Sequence, residues 1–152
     1  MLDIYVDADA CPVKREVYRV AQRYGMKVIL VADAWMRTPK QDWLELRVVE
    51  GGIDAADDWI VAHVTETDIV ITGDIPLASR CLSKGAQVIG HSGRPFTEDN
   101  IGDALATRDL LAHLRSLGGY TQGPKPFARQ DRSAFLQALD QAIQALRRSV
   151  ER

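Results

Sequence analysis

Leu2-Asp3-Ile4-Tyr5-Val6-Asp7-Ala8-Asp9 alternates apolar and polar side chains and then ends on two acids. Alternation of this kind predicts a strand with its acids at the carboxyl end. Pro12 suits the first turn of a following helix. Val13, Val17, Val20, Ala21 and Tyr24 recur at helical spacing, and Gly25 is a natural stop. Val28-Ile29-Leu30-Val31 is then a short unbroken apolar run, as a buried parallel strand requires. The chain therefore opens as strand, helix, strand.

The same rhythm continues outward. Asp33 to Asp42 reads as a loop turning at Thr38-Pro39, and Leu44 to Val49 as a strand broken by Gly51-Gly52. A helix is expected over Asp54 to Ala62, with Asp54 as its N-cap. Ile69-Val70-Ile71 is a second buried strand, followed by Thr72-Gly73-Asp74 and a helix from Pro76 to Lys84. Gln87 to Ile89 gives one more strand. His91 to Phe96 reads as a loop, Thr97 to Leu117 as a helix with Gly102 a weak point, and Gly118 to Asp131 as a loop. In the closing helix, Ser133 to Arg148, the stripe Phe135, Leu136, Leu139, Ile143 and Leu146 is expected to dock on the domain. A dimer interface is the alternative. Strands alternating with helices predict a three-layer α/β/α fold around a mainly parallel sheet. One domain over 1–152 is expected, including the C-terminal loop and helix of 118–148.

The 152 residues suit one domain with an adequate core. The formal net charge is -2, so no strong basic field draws the whole molecule to nucleic acid. Any such contact has to come from a local patch. The N-terminus carries no secretory pattern, and no apolar run approaches the roughly 20 residues of a membrane span. Cys11 and Cys81 form no CxxC pair. A cytoplasmic location without membrane contact is the expectation.

Asp7 and Asp9 stand two apart in extended chain, so both carboxylates can face one point. Asp74 follows the second apolar strand, and ligands of open parallel sheets bind outside the carboxyl ends of the strands. Asp54, Asp57 and Asp58 fall on one face of their helix, with Ile53, Ala56 and Ile60 opposite. Clustered carboxylates repel unless a cation neutralises them or some are protonated. Oxygen-only donors suit Mg²⁺ or Mn²⁺. Such a site serves phosphodiester hydrolysis. Each acid also has a structural reading. Asp9, Asp54 and Asp74 can cap helices, and Asp57 and Asp58 can favour a helix dipole.

The run Val6-Asp7-Ala8-Asp9-Ala10-Cys11-Pro12-Val13-Lys14 resembles the opening motif of the bacterial YaiI/YqxD family. Gly52 to Ile60 resembles its second motif and Asp68 to Ala78 its third. Gly118 to Thr121, Gly123-Pro124 and Asp131-Arg132 resemble its C-terminal signature. That family is similar to the PIN-like superfamily, many of whose members are metal-dependent ribonucleases. The resemblance implies an acid after the first strand (Asp7), an acid on a central helix (Asp54, Asp57 or Asp58) and a Thr-x-Asp after a later strand (Thr72-Gly73-Asp74). Asp9 is a candidate fourth acid.

Thr72 can orient Asp74, bind a metal water or bond to backbone. Lys14 can reach a substrate phosphate or pair with Asp9. Arg94, Lys125, Arg129 and Arg132 lie in expected loops with Tyr120 and Phe127, an interleaving suited to phosphate contact and base stacking. Trp35 and Trp43 can also meet a base, whereas Trp59 is expected in the core. Cys11 and Cys81 read as structural, and His63, His91 and His113 share no ligand spacing.

Three functions compete. The first is a metal-dependent nuclease, with RNA as substrate, using Asp7, Asp9, Asp57 and Asp74. The second is a phosphohydrolase with Asp7 as nucleophile, since Asp-x-Asp after a first strand is how haloacid-dehalogenase-like phosphatases begin. The third is a non-catalytic RNA- or protein-binding module. Oligomeric state has no signature in the sequence.

Overall fold

A computed structural model describes residues 2–118 and 127–151. Six strands form one sheet: β1 (Asp3–Asp7), β2 (Lys27–Ala32), β3 (Leu44–Val48), β4 (Ile69–Ile71), β5 (Gln87–Ile89) and β6 (Pro95–Phe96). Five helices accompany them: α1 (Lys14–Tyr24), α2 (Ala55–His63), α3 (Ile75–Ser83), α4 (Glu98–Ser116) and α5 (Arg129–Glu151). The strand order is β3-β2-β1-β4-β5-β6. All pairings are parallel except β5 with β6.

The period of two along each strand divides the core into two layers. Ile4, Val6, Val28, Leu30, Ile69 and Ile71 face α1 and α5. Tyr5, Ile29, Val31, Val70 and Val88 face α2 and α3. The architecture is the expected three-layer α/β/α. The C-terminal stripe docks: Phe135, Leu139 and Ile143 are fully buried in the α1 layer. Burying each such side chain contributes about 1.5–3 kcal/mol before entropy is counted.

Local chemistry explains the element ends. Gly25 takes φ 65° and caps α1 in the left-handed conformation. Thr97 and Asn100 form a reciprocal capping box on α4. Gly102 does not interrupt α4, because it is exposed and its absent side chain would touch nothing.

Three expectations need correction. Pro95–Phe96 is a short edge strand on β5 rather than loop. The last helix begins at Arg129, four residues before Ser133, because the Asp131 carboxylate accepts the Ala128 N–H at 2.9 Å and closes the first turn. Arg129 and Arg132 are therefore helical. Ile53 does not join the buried face of α2. It is 95% exposed, while Ala56 and Ile60 are buried.

Candidate functional site

The strand order reverses between β1 and β4, since β2 and β3 lie on one side and β5 and β6 on the other. A crevice opens at such a switch point beyond the strands' carboxyl ends. Asp7 ends β1, and Thr72-Gly73-Asp74 leaves β4. The two segments are neighbours although 65 residues apart in sequence.

Their contact is specific. Buried Thr72 donates its hydroxyl to Asp7 Oδ2 at 2.8 Å. The same hydroxyl oxygen accepts the Asp74 N–H at 2.9 Å. Asp74 Oδ1 in turn accepts the Leu77 N–H at 3.1 Å, capping α3. Asp74 thus has its expected structural role and still lines the crevice. Asp9 does not cap α1, whose N-cap Val13 makes no side-chain bond. Its Oδ2 instead accepts the Asp33 N–H at 3.0 Å, tying the ends of β1 and β2 together.

Asp7, Asp9, Asp33, Asp54, Asp57 and Asp74 line one cup of about 600 Å³. Asp7 is its most buried acid. Desolvation lifts its carboxyl pKa to about 6, opposed by the Thr72 bond and reinforced by the charges of Asp57, Asp74 and Asp9. Asp57 is raised by desolvation and then by Asp74. Asp9 is raised by desolvation, although the Asp33 N–H and Lys14 oppose the shift. Lys14 acts on Asp9 only through its charge and makes no ion pair with it among the described residues.

The three acids of α2 part company. Asp57 faces the cup, and Asp58 turns outward to an exposed ion pair with Arg80 at 2.7 Å. Asp54 occupies the N-cap position but makes no capping bond, and its φ is 66°. Among the described residues, only Ala10 and Asp54 carry positive φ without being glycine. Both line the cup. A side chain in that conformation is strained, and such strain clusters at functional sites.

Two contributors escaped the sequence reading. Asp33 follows β2 directly, so the rule that selected Asp7 and Asp74 would have selected it too. His91 stands two residues beyond β5 and also lines the cup. Its ring packs so close to Gly73 that a Cβ there would lie 3.0 Å from His91 Cε1. Burial holds the His91 pKa below its ordinary value. Its buried Nε2 has no partner among the described residues.

Several expected substrate contacts lie elsewhere. Thr72 is fully buried, and its hydroxyl serves Asp7 and the Asp74 backbone. Arg132 bonds to the Pro12 carbonyl and pairs with Glu16, tying α5 to α1. Arg129 is exposed on the first turn of α5. Arg94 is exposed beyond β5, next to the cup rather than in it. Lys125 and Tyr120 fall outside the described residues. Trp43 packs edge-on to Tyr18 against the core and is not free to meet a base, while Trp35 is 76% exposed. Trp59 is partly buried between Tyr5 and a stacked His63. Cys11 and Cys81 are buried thiols, and burial pushes Cys81 up to about 12.

The cup's donors are carboxylate oxygens, which suit a hard cation. Among the described residues, no three His, Cys, Asp or Glu side chains converge tightly enough to hold an ion unaided. A hard cation there would have to take most of its ligands from water. Asp7 and Asp74 each have one oxygen fixed by a protein donor, which orients the other.

No helix among the described residues is long and apolar enough to cross a membrane. No solved structure matches the chain. The chain is similar to curated bacterial proteins named UPF0178 protein. The one from Nitrobacter winogradskyi is 56% identical over 96% of this chain and 93% of its own length. The one from Rhodospirillum centenum is 55% identical over 97% of this chain and 99% of its own. A Caulobacter relative is 53% identical over 99% of both. A family model described as "Uncharacterized BCR, YaiI/YqxD family" matches residues 5–145, and the chain belongs to that family.

Proposed function

We propose that this protein is a divalent-metal-dependent phosphodiesterase acting on RNA, with Asp7, Asp57 and Asp74 as its principal acids. The observation that carries the reading is the convergence of carboxylates from separate segments on one cup at the β1/β4 switch point. The order of parts also resembles the PIN-like nucleases: an acid after β1, an acid on a helix, and Thr-x-Asp after β4. A divalent cation bound in the cup would supply Lewis-acid activation of water and stabilise charge at phosphorus.

The chain's own residues prepare that chemistry. Thr72 fixes Asp7, and the α3 N-terminus fixes Asp74. The Asp33 N–H fixes Asp9, which contributes through water or by its field. Desolvation of Asp7 makes an uncompensated carboxylate there costly and favours a cation beside it. A phosphatase using Asp7 as nucleophile would need Asp9 poised over a leaving group. A covalent aspartyl-phosphate on Asp7 is the observation that would favour that reading instead.

The test is cleavage of labelled RNA by the pure full chain in Mg²⁺ or Mn²⁺. Activity should vanish with chelator and with Asp7→Asn. No cleavage in either metal, or cleavage that survives Asp7→Asn, overturns the proposal.

A further inference from the structure

Charge is unevenly placed along the chain. Residues 10–41 hold seven lysines and arginines against two acids, Glu16 and Asp33, although the net charge of the whole chain is -2. The remainder is strongly acidic, and among the described residues no lysine or arginine lines the cup. Such a cup repels a polyanion, which has to be held from outside it.

Topology gathers the cations on one face. α1 joins parallel strands β1 and β2, and the 33–43 segment joins parallel strands β2 and β3. Each connection therefore leaves the carboxyl edge of the sheet, where the cup lies, and returns to the amino edge. Both return on the same side. Met36 and Trp43 pack into the α1 layer, and the Trp43 ring meets Tyr18 of α1 edge-on at 5.9 Å. Two rows of cations thus run side by side away from the cup: Lys14, Arg15 and Arg19 on α1, and Arg37 and Lys40 on the segment. The rows begin at the cup's own acids. The charge of Lys14 acts on Asp9, and Asp33 opens the segment.

These cations are uncommitted. Arg15, Arg19, Arg37 and Lys40 are exposed, and among the described residues none makes an ion pair or side-chain hydrogen bond. The flank of α1 turned to α5 is different, since Glu16 pairs with Arg132 and Arg23 with Asp140. Asp42 is the acid at the far end of the segment, and it too is exposed. Lys14 and Arg15 also occupy the first turn of α1, where positive charge opposes the helix dipole. A local cost without a structural partner marks residues that serve something other than the fold.

We infer that the outer side of α1 and the adjoining 33–43 segment form a docking face for the phosphate backbone of RNA, on the flank of the acid cup. The inference rests on the phosphodiesterase reading of the cup and adds where the non-reacting part of the substrate is held. Long cationic side chains on an open face meet phosphates of either strand form. Trp35 is the one large exposed ring on the segment, so the face offers charge rather than a series of stacking walls. Binding there needs no metal, whereas hydrolysis in the cup does.

The experiment measures binding apart from cleavage. Fluorescence anisotropy of a labelled oligo-uridine is recorded with the full chain in chelator, across a salt series. Circular dichroism confirms that each variant keeps its helix content, and Arg15→Glu suits the helix dipole better than the native residue. Arg15→Glu/Arg19→Glu and Arg37→Glu/Lys40→Glu should each weaken binding at least about tenfold and flatten the log–log salt slope by roughly 1.4, at 0.7 per phosphate contact. Arg108→Glu/Arg115→Glu, an equal change of charge on exposed positions of α4, should leave Kd and slope near wild type. An unlabelled RNA duplex should compete at least as well as the single strand at equal phosphate concentration, because its charge is denser. Unchanged affinity in both face variants, or equal loss in the α4 variant, overturns the face. Competition by single strand alone means that bases are read, and overturns the backbone assignment. If wild type cleaves and Asp7→Asn does not, while the face variants keep wild-type Kd and KM, only the face fails. If the face variants lose binding and wild type cleaves nothing in Mg²⁺ or Mn²⁺, the face stands and the hydrolytic reading fails.

Discussion

The Thr72 hydroxyl stands 2.8 Å from Asp7 Oδ2 and holds that acid while its oxygen accepts the Asp74 N–H. One buried side chain thus sets the positions of two acids, one ending β1 and the other capping α3 after β4. Thr72→Val keeps the shape and removes the hydroxyl. Stability should fall by about 1–3 kcal/mol, because two buried polar groups lose their partner. The Asp7 pKa should rise further, since the Thr72 bond lowers it. Thr72→Ser should restore both values. Urea denaturation and carboxyl NMR titration read them.

Asp7 makes the metal-free protein less stable as pH rises. Its folded pKa is raised from 3.8 to about 6, so between these values the folded state binds more protons than the unfolded state. Stability contributed by the protonated form is therefore present below about pH 4 and lost as pH climbs through about 6. A rise of that size is worth about 3 kcal/mol at full burial, and partial solvent access reduces this to on the order of 1–2. Asp7→Asn should remove that pH slope and stabilise the metal-free chain at pH 7.5. Added Mg²⁺ or Mn²⁺ should raise the Tm of the wild type and leave Asp7→Asn unmoved.

The acids of α2 should separate by function. Asp58 is exposed and paired with exposed Arg80, so Asp58→Ala should cost no more than about 0.5 kcal/mol and leave cleavage intact. Asp57 faces Asp74 across the cup, and Asp57→Asn should abolish most cleavage without loss of stability. Parallel kinetic and thermal measurements distinguish the two. Equal kinetic losses would mean that α2 presents a different face.

Asp9 carries a structural bond that can be isolated. Asp9→Asn keeps an oxygen for the Asp33 N–H, whereas Asp9→Ala removes it. Alanine should cost about 0.5–1.5 kcal/mol and asparagine less. If cleavage tracks stability across the pair, Asp9 acts by holding the β1 and β2 ends together. If asparagine alone abolishes cleavage, its charge is the contribution.

The C-terminal helix is part of the core. Phe135→Ala should destabilise by about 3–5 kcal/mol, because Phe135 is fully buried against the sheet. A change below about 1 kcal/mol in chemical denaturation would contradict that docking.

Much of this was legible in one dimension. The alternation of Leu2 to Val6 and the runs Val28–Val31 and Ile69–Ile71 specify strands, since period and apolarity are local properties. Asp7 and Asp74 could be selected because each ends or follows such a strand. The same rule reaches Asp33 and His91, but neither sits in a motif that draws attention to it. The face of α2 was half legible. Three acids three and four residues apart share a broad side of a helix, yet Asp57 and Asp58 diverge by a full 100° and meet different neighbours. The helical start at Arg129 depended on one carboxylate reaching back to one amide, which composition does not reveal.

By itself, then, the sequence determined five of the six strands, the presence of the helices, the layered class and most of the acids worth asking about, because each follows from local periodicity and chain chemistry. Only the tertiary structure decided that Asp7 and Asp9 work differently. Asp7 is half-buried against Thr72, with a pKa near 6, because β1 pairs with β4. Asp9 is bound to Asp33 because β1 also pairs with β2. Strand order is a long-range property set by which buried faces satisfy one another. That order brings Asp7 to the switch point and gives two acids of one motif separate tasks.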